Sequence, residues 1–306
     1  MHMLPHFLVV GAEKAGTTWL YDVMRGHPAL FLPDTKEVHF FNRRDSNLIE
    51  TDNFARRGLD WYERHFAAAA PDQIRGEATP MYICDEDAPD RIRKTLEDPR
   101  FILLLRDPVT RAISHYRMAM AKSHIDTPLD ALVDAGDARV LERGLYASQL
   151  ERWFSLFSRE STKVLIFEEV MAAPETAMTE IADWFGIDPE PFMEARLGER
   201  RNEASGYRSA WAYNASVRGA RALRNFPATR GIAKRLKAIG VYDFIKSANR
   251  TAPPETKITA TDRTRLCDYY RDDVKRVAAL LGRDGLPWEC AAPAVPADGQ
   301  DVGELI

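Results

Sequence analysis

Gly11-Ala12-Glu13-Lys14-Ala15-Gly16-Thr17-Thr18-Trp19 follows an apolar run, Phe7-Leu8-Val9-Val10, and leads into a segment with helical spacing. In that segment, Thr17 to Arg25, the apolar residues Trp19, Leu20, Val23 and Met24 fall on one face. A buried strand, a glycine-bearing turn and a helix start form the context that a phosphate-binding loop requires. Backbone N–H groups at a helix N-terminus lack intrahelical partners and face an anion, and the helix dipole adds favourable potential. Gly16 lets the backbone approach closely, Thr17 and Thr18 add hydroxyl donors, and Lys14 adds a full positive charge.

The spacing from Gly11 to Gly16 fits the Walker A pattern GxxxxGK[ST], but Thr17 stands where the lysine belongs. The lysine comes earlier, at Lys14, so a nucleoside-triphosphate enzyme would lack its β/γ-phosphate lysine. The plain alternative is an ordinary glycine-containing strand–helix turn with a surface lysine.

Outward from this loop, Leu30–Leu32, Ile74–Ala78, Phe101–Leu105 and Val164–Phe167 read as further short strands. Helices are expected over Asp60–Ala70, from Pro108 to about Lys122, and over Pro174–Phe185, the last closed by Gly186. Lys36–Phe41 reads as a loop or short helix. The alternation predicts an α/β fold: a P-loop-like, three-layer α/β/α sandwich with a central parallel sheet. Leu266, Tyr270, Val274, Val277 and Leu281 form one helical stripe ending at Gly282, a C-cap residue. One domain is expected over 1–290, with an α/β core at 7–186 and a mainly helical part at 187–290. Within the latter, 206–257 is a candidate lid or substrate-facing segment, and 291–306 reads as a disordered tail.

With 306 residues and a formal net charge of −4, the chain shows no signature of nucleic-acid binding. A small anionic ligand therefore needs a local cationic site. Cys84, Cys267 and Cys290 show no metal-site spacing, and their odd number and low density favour reduced thiols and a cytoplasmic setting. No run is long enough for a transmembrane segment, and no secretory signal is visible at the start.

A second cationic position stands at the end of the strongest strand, Leu105-Arg106-Asp107-Pro108, with Ser114 inside the first two turns of the following helix. Arg106 and Ser114 can then face one ligand at the carboxyl end of the sheet, where the arginine fork suits a phosphate. Two other readings stand beside this one. Arg106 can simply pair with Asp107, or the strand can be a Walker B strand with Asp107 holding magnesium.

Lys14-Ala15-Gly16-Thr17-Thr18-Trp19-Leu20 resembles the 5′-phosphosulfate loop of sulfotransferases that use 3′-phosphoadenosine 5′-phosphosulfate (PAPS). Arg106, Asp107, Pro108, Arg111, Ser114 and Tyr116 fill every fixed position of that family's second signature, RDPxxRxxSxY. The resemblance is closest to the heparan-sulfate or carbohydrate type and to bacterial sulfotransferases, closer over 7–186 than over 187–290. It implies that Lys14, Ala15, Gly16, Thr17, Thr18 and Trp19 cradle the 5′-phosphate, that Lys14 also contacts the leaving oxygen, and that Arg106 and Ser114 hold the 3′-phosphate. PAPS would be the donor and 3′,5′-adenosine bisphosphate (PAP) the product, with no metal. Lys36-Glu37-Val38-His39-Phe40-Phe41 resembles the segment whose glutamate is the proposed base in the heparan-sulfate group. That makes Glu37 the expected base, with Lys36 and His39 assisting and His39 its rival.

Ala78 departs from the pattern, since carbohydrate sulfotransferases often carry lysine at its place. Glu77 and Tyr82 are therefore expected to face a neutral or cationic acceptor. Tyr146, in Arg143-Gly144-Leu145-Tyr146, has two readings, the acceptor cleft or the core. Arg200-Arg201-Asn202 lies where relatives place a basic loop over the adenosine, so Arg201 is a candidate cofactor contact. The acceptor is expected to be a glycan, glycolipid or small metabolite bearing a hydroxyl or amine. The competing functions are a P-loop kinase and a non-catalytic nucleotide- or glycan-binding protein. Oligomeric state is not legible.

Overall fold

The structure, a computed structural model, describes residues 2–45, 49–121, 125, 127–194 and 258–291, together with the backbone of 206–207 and 250–251. Its core is a parallel sheet of β1 (Phe7–Gly11), β2 (Leu30–Phe31), β3 (Ile74–Ala78), β4 (Arg100–Leu105) and β5 (Thr162–Ile166) in the order β2-β3-β1-β4-β5. Every residue of β1 is buried, whichever face its side chain takes. Both faces of the sheet are therefore covered by helices, as the apolar runs of parallel strands require.

The helices are α1 (Thr17–Arg25), α2 (Asn53–Arg57), α3 (Leu59–Glu63), α4 (Ala88–Thr95), α5 (Pro108–Ala121), α6 (Leu129–Asp134), α7 (Tyr146–Leu156), α8 (Phe167–Ala172), α9 (Pro174–Phe185), α10 (Glu190–Met193) and α11 (Ala260–Leu280). From β1 the chain moves to one side to build β2 and β3, then crosses to the other to build β4 and β5. The turns after β1 and β4 thus diverge from adjacent strands and leave a crevice at their carboxyl ends. The β1–β4 register shifts between Val9 and Gly11, and Ala12 N–H then donates to the Leu104 carbonyl at 2.8 Å, which anchors the start of the glycine loop.

Two boundaries differ from expectation. The Asp60–Ala70 helix stops at Glu63, and His65, Phe66 and Ala69 continue it through three-residue turn bonds to Tyr62, Glu63 and Phe66. These tighter turns swing Phe66 into the core against Tyr62 (ring centroids 5.2 Å apart). Strand β5 ends at Ile166, and Phe167 opens α8 instead. The end of α5 near Lys122, residues 208–249 and 252–257 of the proposed lid, and the tail 292–306 lie outside the described residues.

Helix α11 opens with a reciprocal capping box between Thr259 and Asp262 and lays Leu266, Cys267, Tyr270, Val274 and Val277 into the core. It packs on α7. The expectation of three reduced thiols is corrected here: Cys267 of α11 is disulfide-bonded to Cys290, their Cα atoms 4.9 Å apart, and Cys84 alone is free. Sequence spacing missed the pair because the fold, not the sequence, brings the helix back against the Glu289–Ala291 turn. The inference of a reducing compartment loses the support it drew from free thiols. Among the described residues, no helix is long and apolar enough to cross a membrane.

The disulfide closes a loop of sequence separation 23, for which cross-linking stabilises by about 3 kcal/mol. Thiol titration in denaturant should find one reactive thiol before reduction and three after. The urea midpoint should fall on reduction, with the slope of the transition little changed.

Candidate active site

The glycine loop builds an anion cradle from backbone. Gly16 is the N-cap of α1 with φ +89°, and a Cβ there would lie 2.7 Å from Phe167 Cε2. No side chain caps α1, and its first turn holds no acidic residue. The first intrahelical bond runs from Leu20 N–H to the Gly16 carbonyl, so the amides of Thr17 and Thr18 come before the ladder begins. Ala15, Thr17 and Trp19 are buried, so Ala15 and Trp19 can offer a ligand little beyond backbone. Lys14 is half-buried with φ +70°, and its Nζ lies 3.6 Å from Met118 Sδ on α5.

Arg106 closes the cradle from the β4 side. Its Nη1 donates to the Lys14 carbonyl at 3.2 Å, and its guanidinium lies 4.7 Å from the centre of the Phe167 ring. Its Nε is buried without a hydrogen-bond partner, an orphaned cationic donor of the kind that an anion satisfies. Ser114 sits half-exposed in the second turn of α5.

Asp107 has a different task. Its Oδ1 accepts Thr110 N–H at 2.7 Å, capping α5, and its Oδ2 accepts Glu289 N–H at 2.6 Å. With both oxygens held by backbone, the simple Arg106–Asp107 pair and the Walker B magnesium reading find no support. Tyr146 is fully buried and donates to the Arg106 carbonyl at 3.1 Å, so the core reading holds.

On the other side of β1, the carboxyl end of β3 holds the Lys36–Phe41 loop. Glu37 N–H donates to the Ala78 carbonyl at 3.0 Å, and His39 N–H reaches Thr79 Oγ1 at 3.5 Å. The strand order β3-β1-β4 therefore sets three groups side by side along one edge: Glu37 with His39, the Lys14 loop, and Arg106. Lys14, Glu37 and His39 are also three of five described non-glycine residues with positive φ (+70°, +62° and +53°). Such backbone is held only where its surroundings over-determine it, and it gathers at functional sites.

Lys36 Nζ donates to Glu37 Oε1 at 2.6 Å, and His39 Nε2 lies 3.6 Å from Glu37 Oε2. Burial pushes the Glu37 carboxyl up, but the nearby His39 ring and the Lys36 charge and hydrogen bond outweigh it and bring it down to about 2. For His39, burial pulls the imidazole down, and the neighbouring Glu37 carboxylate carries it above its ordinary value.

A family model for the sulfotransferase domain matches residues 4–203. The chain belongs to the sulfotransferase family. It is 28% identical over 309 residues to the bifunctional heparan sulfate N-deacetylase/N-sulfotransferase 4 of Mus musculus, covering 93% of this chain and 30% of that protein. It is 30% identical over 192 residues to the heparan sulfate glucosamine 3-O-sulfotransferase 3B1 of Mus musculus, covering 60% of this chain and 46% of that one. The chain thus spans less than half the length of these curated relatives. A solved sulfotransferase from Alicyclobacillus acidocaldarius shares the fold, with a TM-score of 0.62 at 22% identity over 92% of this chain and 97% of that one.

In this sulfotransferase two expectations need correction. Glu77 and Tyr82 do not face an acceptor: both are fully buried, and the tyrosine hydroxyl donates to the Glu77 carboxylate at 2.9 Å. The strand period places Glu77 inward, and three hydroxyls make that burial tolerable. Arg201 lies outside the described residues.

Sequence reasoning missed Phe167, the platform beneath both Gly16 and Arg106, whose only signal was an aromatic at the carboxyl end of a core strand. It also missed Glu13, which pairs with the buried Arg143 and lies 3.5 Å from His115 Nδ1. Burial raises that carboxyl, and the nearby His115 ring with the Arg143 charge holds it well below the carboxylate range. The pair ties the loop to the Glu142–Gly144 turn.

Gly16→Ala should destabilise the sulfotransferase by about 1–3 kcal/mol in urea unfolding, because the added methyl meets the Phe167 ring and the positive φ disfavours it. The same variant should bind a phosphate-bearing nucleotide at least tenfold more weakly. Lys36→Met should raise the Glu37 carboxyl from about 2, read by carbon-detected NMR titration. The sign follows from linkage: a depressed carboxylate stabilises the fold above its unfolded pKa and loses that contribution as pH falls through its folded one. Removing Lys36 should therefore shift that loss to higher pH.

Proposed function

We propose that this sulfotransferase moves a sulfuryl group from PAPS to a hydroxyl or amine of a glycan, glycolipid or small metabolite, with Glu37 as the base. The observation that carries the donor assignment is the pair of anion sites joined by the Arg106–Lys14 bond: an uncapped helix start with a lysine before the glycine, and a buried orphaned guanidinium nitrogen. These residues fit a nucleotide with two separate phosphate groups. Lys14, the 15–19 backbone and the threonine hydroxyls would hold the 5′-phosphosulfate end. Arg106 and Ser114 would hold the 3′-phosphate. Arg201 is proposed over the adenosine.

The donor supplies a sulfuryl group activated by a good leaving phosphate, and the chain supplies position and charge. Glu37 takes the acceptor proton at Oε2, the oxygen that Lys36 does not hold. As the new bond to sulfur forms, the bond between sulfur and the bridging oxygen breaks. Lys14 stabilises the negative charge gathering on that oxygen, which leaves as part of PAP. His39 Nε2, 3.6 Å from Glu37 Oε2, would steady the carboxylate.

Calorimetric titration of PAP, with and without magnesium, tests the donor site. Metal-independent binding is expected, at least tenfold weaker in Lys14→Ala and Arg106→Ala, and weaker for ATP. A preference for magnesium–ATP would overturn the reading in favour of a kinase. Glu37→Gln should keep PAP affinity and lower turnover of PAPS by about 10²–10⁴-fold.

A further inference from the structure

Beneath the Glu37–Phe41 loop lies a fully buried carboxylate that the mechanism above does not use. Glu77, on β3, has no solvent exposure. Three hydroxyls converge on it: Tyr62 Oη at 2.6 Å and Tyr82 Oη at 2.9 Å on Oε1, and Thr79 Oγ1 at 2.8 Å on Oε2. Two of these hydroxyls also touch the loop. Tyr82 Oη accepts Phe40 N–H at 3.0 Å and lies 3.4 Å from Phe41 N, and Thr79 Oγ1 accepts His39 N–H at 3.5 Å.

Proton counting makes the direction of these bonds compulsory. A hydroxyl has one proton, and a backbone N–H can only donate. Because Tyr82 and Thr79 accept from the loop amides, their own protons must point elsewhere, and the partner within reach of both is Glu77. Burial raises the Glu77 carboxyl above its ordinary value and the three hydroxyls oppose that shift; in its ionised form it accepts from all three at once. A neutral acid or an amide could still accept from both tyrosines with one oxygen but would have to donate to Thr79 with its other end, which costs the threonine proton its acceptor. The phenols keep their protons, since burial first and the Glu77 charge second raise both tyrosines well above their ordinary value.

We propose that Glu77 is a positioning residue: its carboxylate polarises Tyr82 and Thr79 so that both accept from the backbone carrying Glu37 and His39, and so holds that loop at the sheet edge. The proposal deepens the sulfotransferase reading and rests on it for the loop's role in turnover. Its geometric content stands apart. Tyr62 supplies the internal control, because it donates to the same carboxylate oxygen as Tyr82 but makes no bond to the loop amides. In the phenylalanine variants both rings remain, including the stack of ring 62 on Phe40 at 4.3 Å.

The test compares Tyr82→Phe, Tyr62→Phe and Glu77→Gln on the full chain, by amide hydrogen exchange at His39, Phe40 and Phe41 referenced to amides of β1. Exchange at Phe40 and Phe41 should accelerate at least tenfold in Tyr82→Phe, exchange at His39 at least tenfold in Glu77→Gln, and all three less than threefold in Tyr62→Phe, with β1 protection retained. PAP affinity should stay within threefold throughout. PAP release from PAPS, with water taking the sulfuryl group, should show kcat at least tenfold lower in Tyr82→Phe and Glu77→Gln, with KM for PAPS unchanged. Equal acceleration in the two tyrosine variants would overturn the proposal, as would loss of protection spread evenly over loop and β1. If Glu77→Gln does not fold, the tyrosine pair decides alone. A wild-type protein that neither binds PAP nor releases it from PAPS would sink the sulfotransferase reading, while the exchange comparison still judges the role of Glu77.

Discussion

Arg106 donates to the Lys14 carbonyl across the gap between β4 and β1, and the geometry of the candidate site depends on that bond. Each partner comes from a turn that leaves the sheet in a different direction, so neither turn alone can fix the distance between two anion sites. The bond is possible because β1 and β4 are neighbours, with Ala12 already paired to Leu104 just before the loop begins. Phe167 completes the arrangement from β5's end, filling the space that a side chain at position 16 would need and lying against the Arg106 guanidinium. A cation over an aromatic face keeps its charge while losing some water, and it then gains more from an anion than a freely hydrated side chain would.

The two sides of the crevice handle charge in opposite ways. On the Arg106 side, a donor nitrogen is buried without a partner and is ready for an anion. On the Glu37 side, the carboxylate has Lys36 on one oxygen and His39 near the other. Beneath it, the Glu77 carboxyl is met by three hydroxyls and, among the described residues, by no salt bridge. That choice matters for the anionic donor proposed above. A buried cation there would add a third attractive pole beside Lys14 and Arg106, whereas neutral donors satisfy Glu77 without competing for phosphate.

Much of the fold was legible because its signals are local. Phe7–Val10 and Phe101–Leu105 are apolar without alternation, which only doubly covered strands tolerate, and the glycine loop lies between a strand end and a helix start. The loop residues and Arg106 could be named as candidates for the same reason, short motifs at strand ends, whereas Glu37 came through the resemblance. What escaped were pairings that the tertiary fold decides. Cys267 with Cys290, Glu13 with Arg143, and Glu77 with Tyr62 and Tyr82 each join residues whose meeting the sheet order or a returning helix decides. Glu77 is the instructive miss. Its type suggested a solvated contact to an acceptor, but its place in strand β3 turned it inward, where only a ready set of donors could accept it.

Positive φ at Lys14, Glu37 and His39 connects these points. A lysine, a glutamate and a histidine gain nothing intrinsic from left-handed backbone, and each position would be relieved by glycine. Side-chain chemistry must therefore be what keeps them, and the neighbouring bonds hold the conformation: Arg106 on the Lys14 carbonyl, Ala78 on the Glu37 amide, and Thr79 on the His39 amide with Asn53 on its carbonyl at 3.0 Å. Strain of about 1–3 kcal/mol at each such residue is sustainable only if those bonds are made in the resting protein. The candidate site is thus organised before any ligand arrives, and the order extends from the sheet edge through Thr79 and Tyr82 down to Glu77.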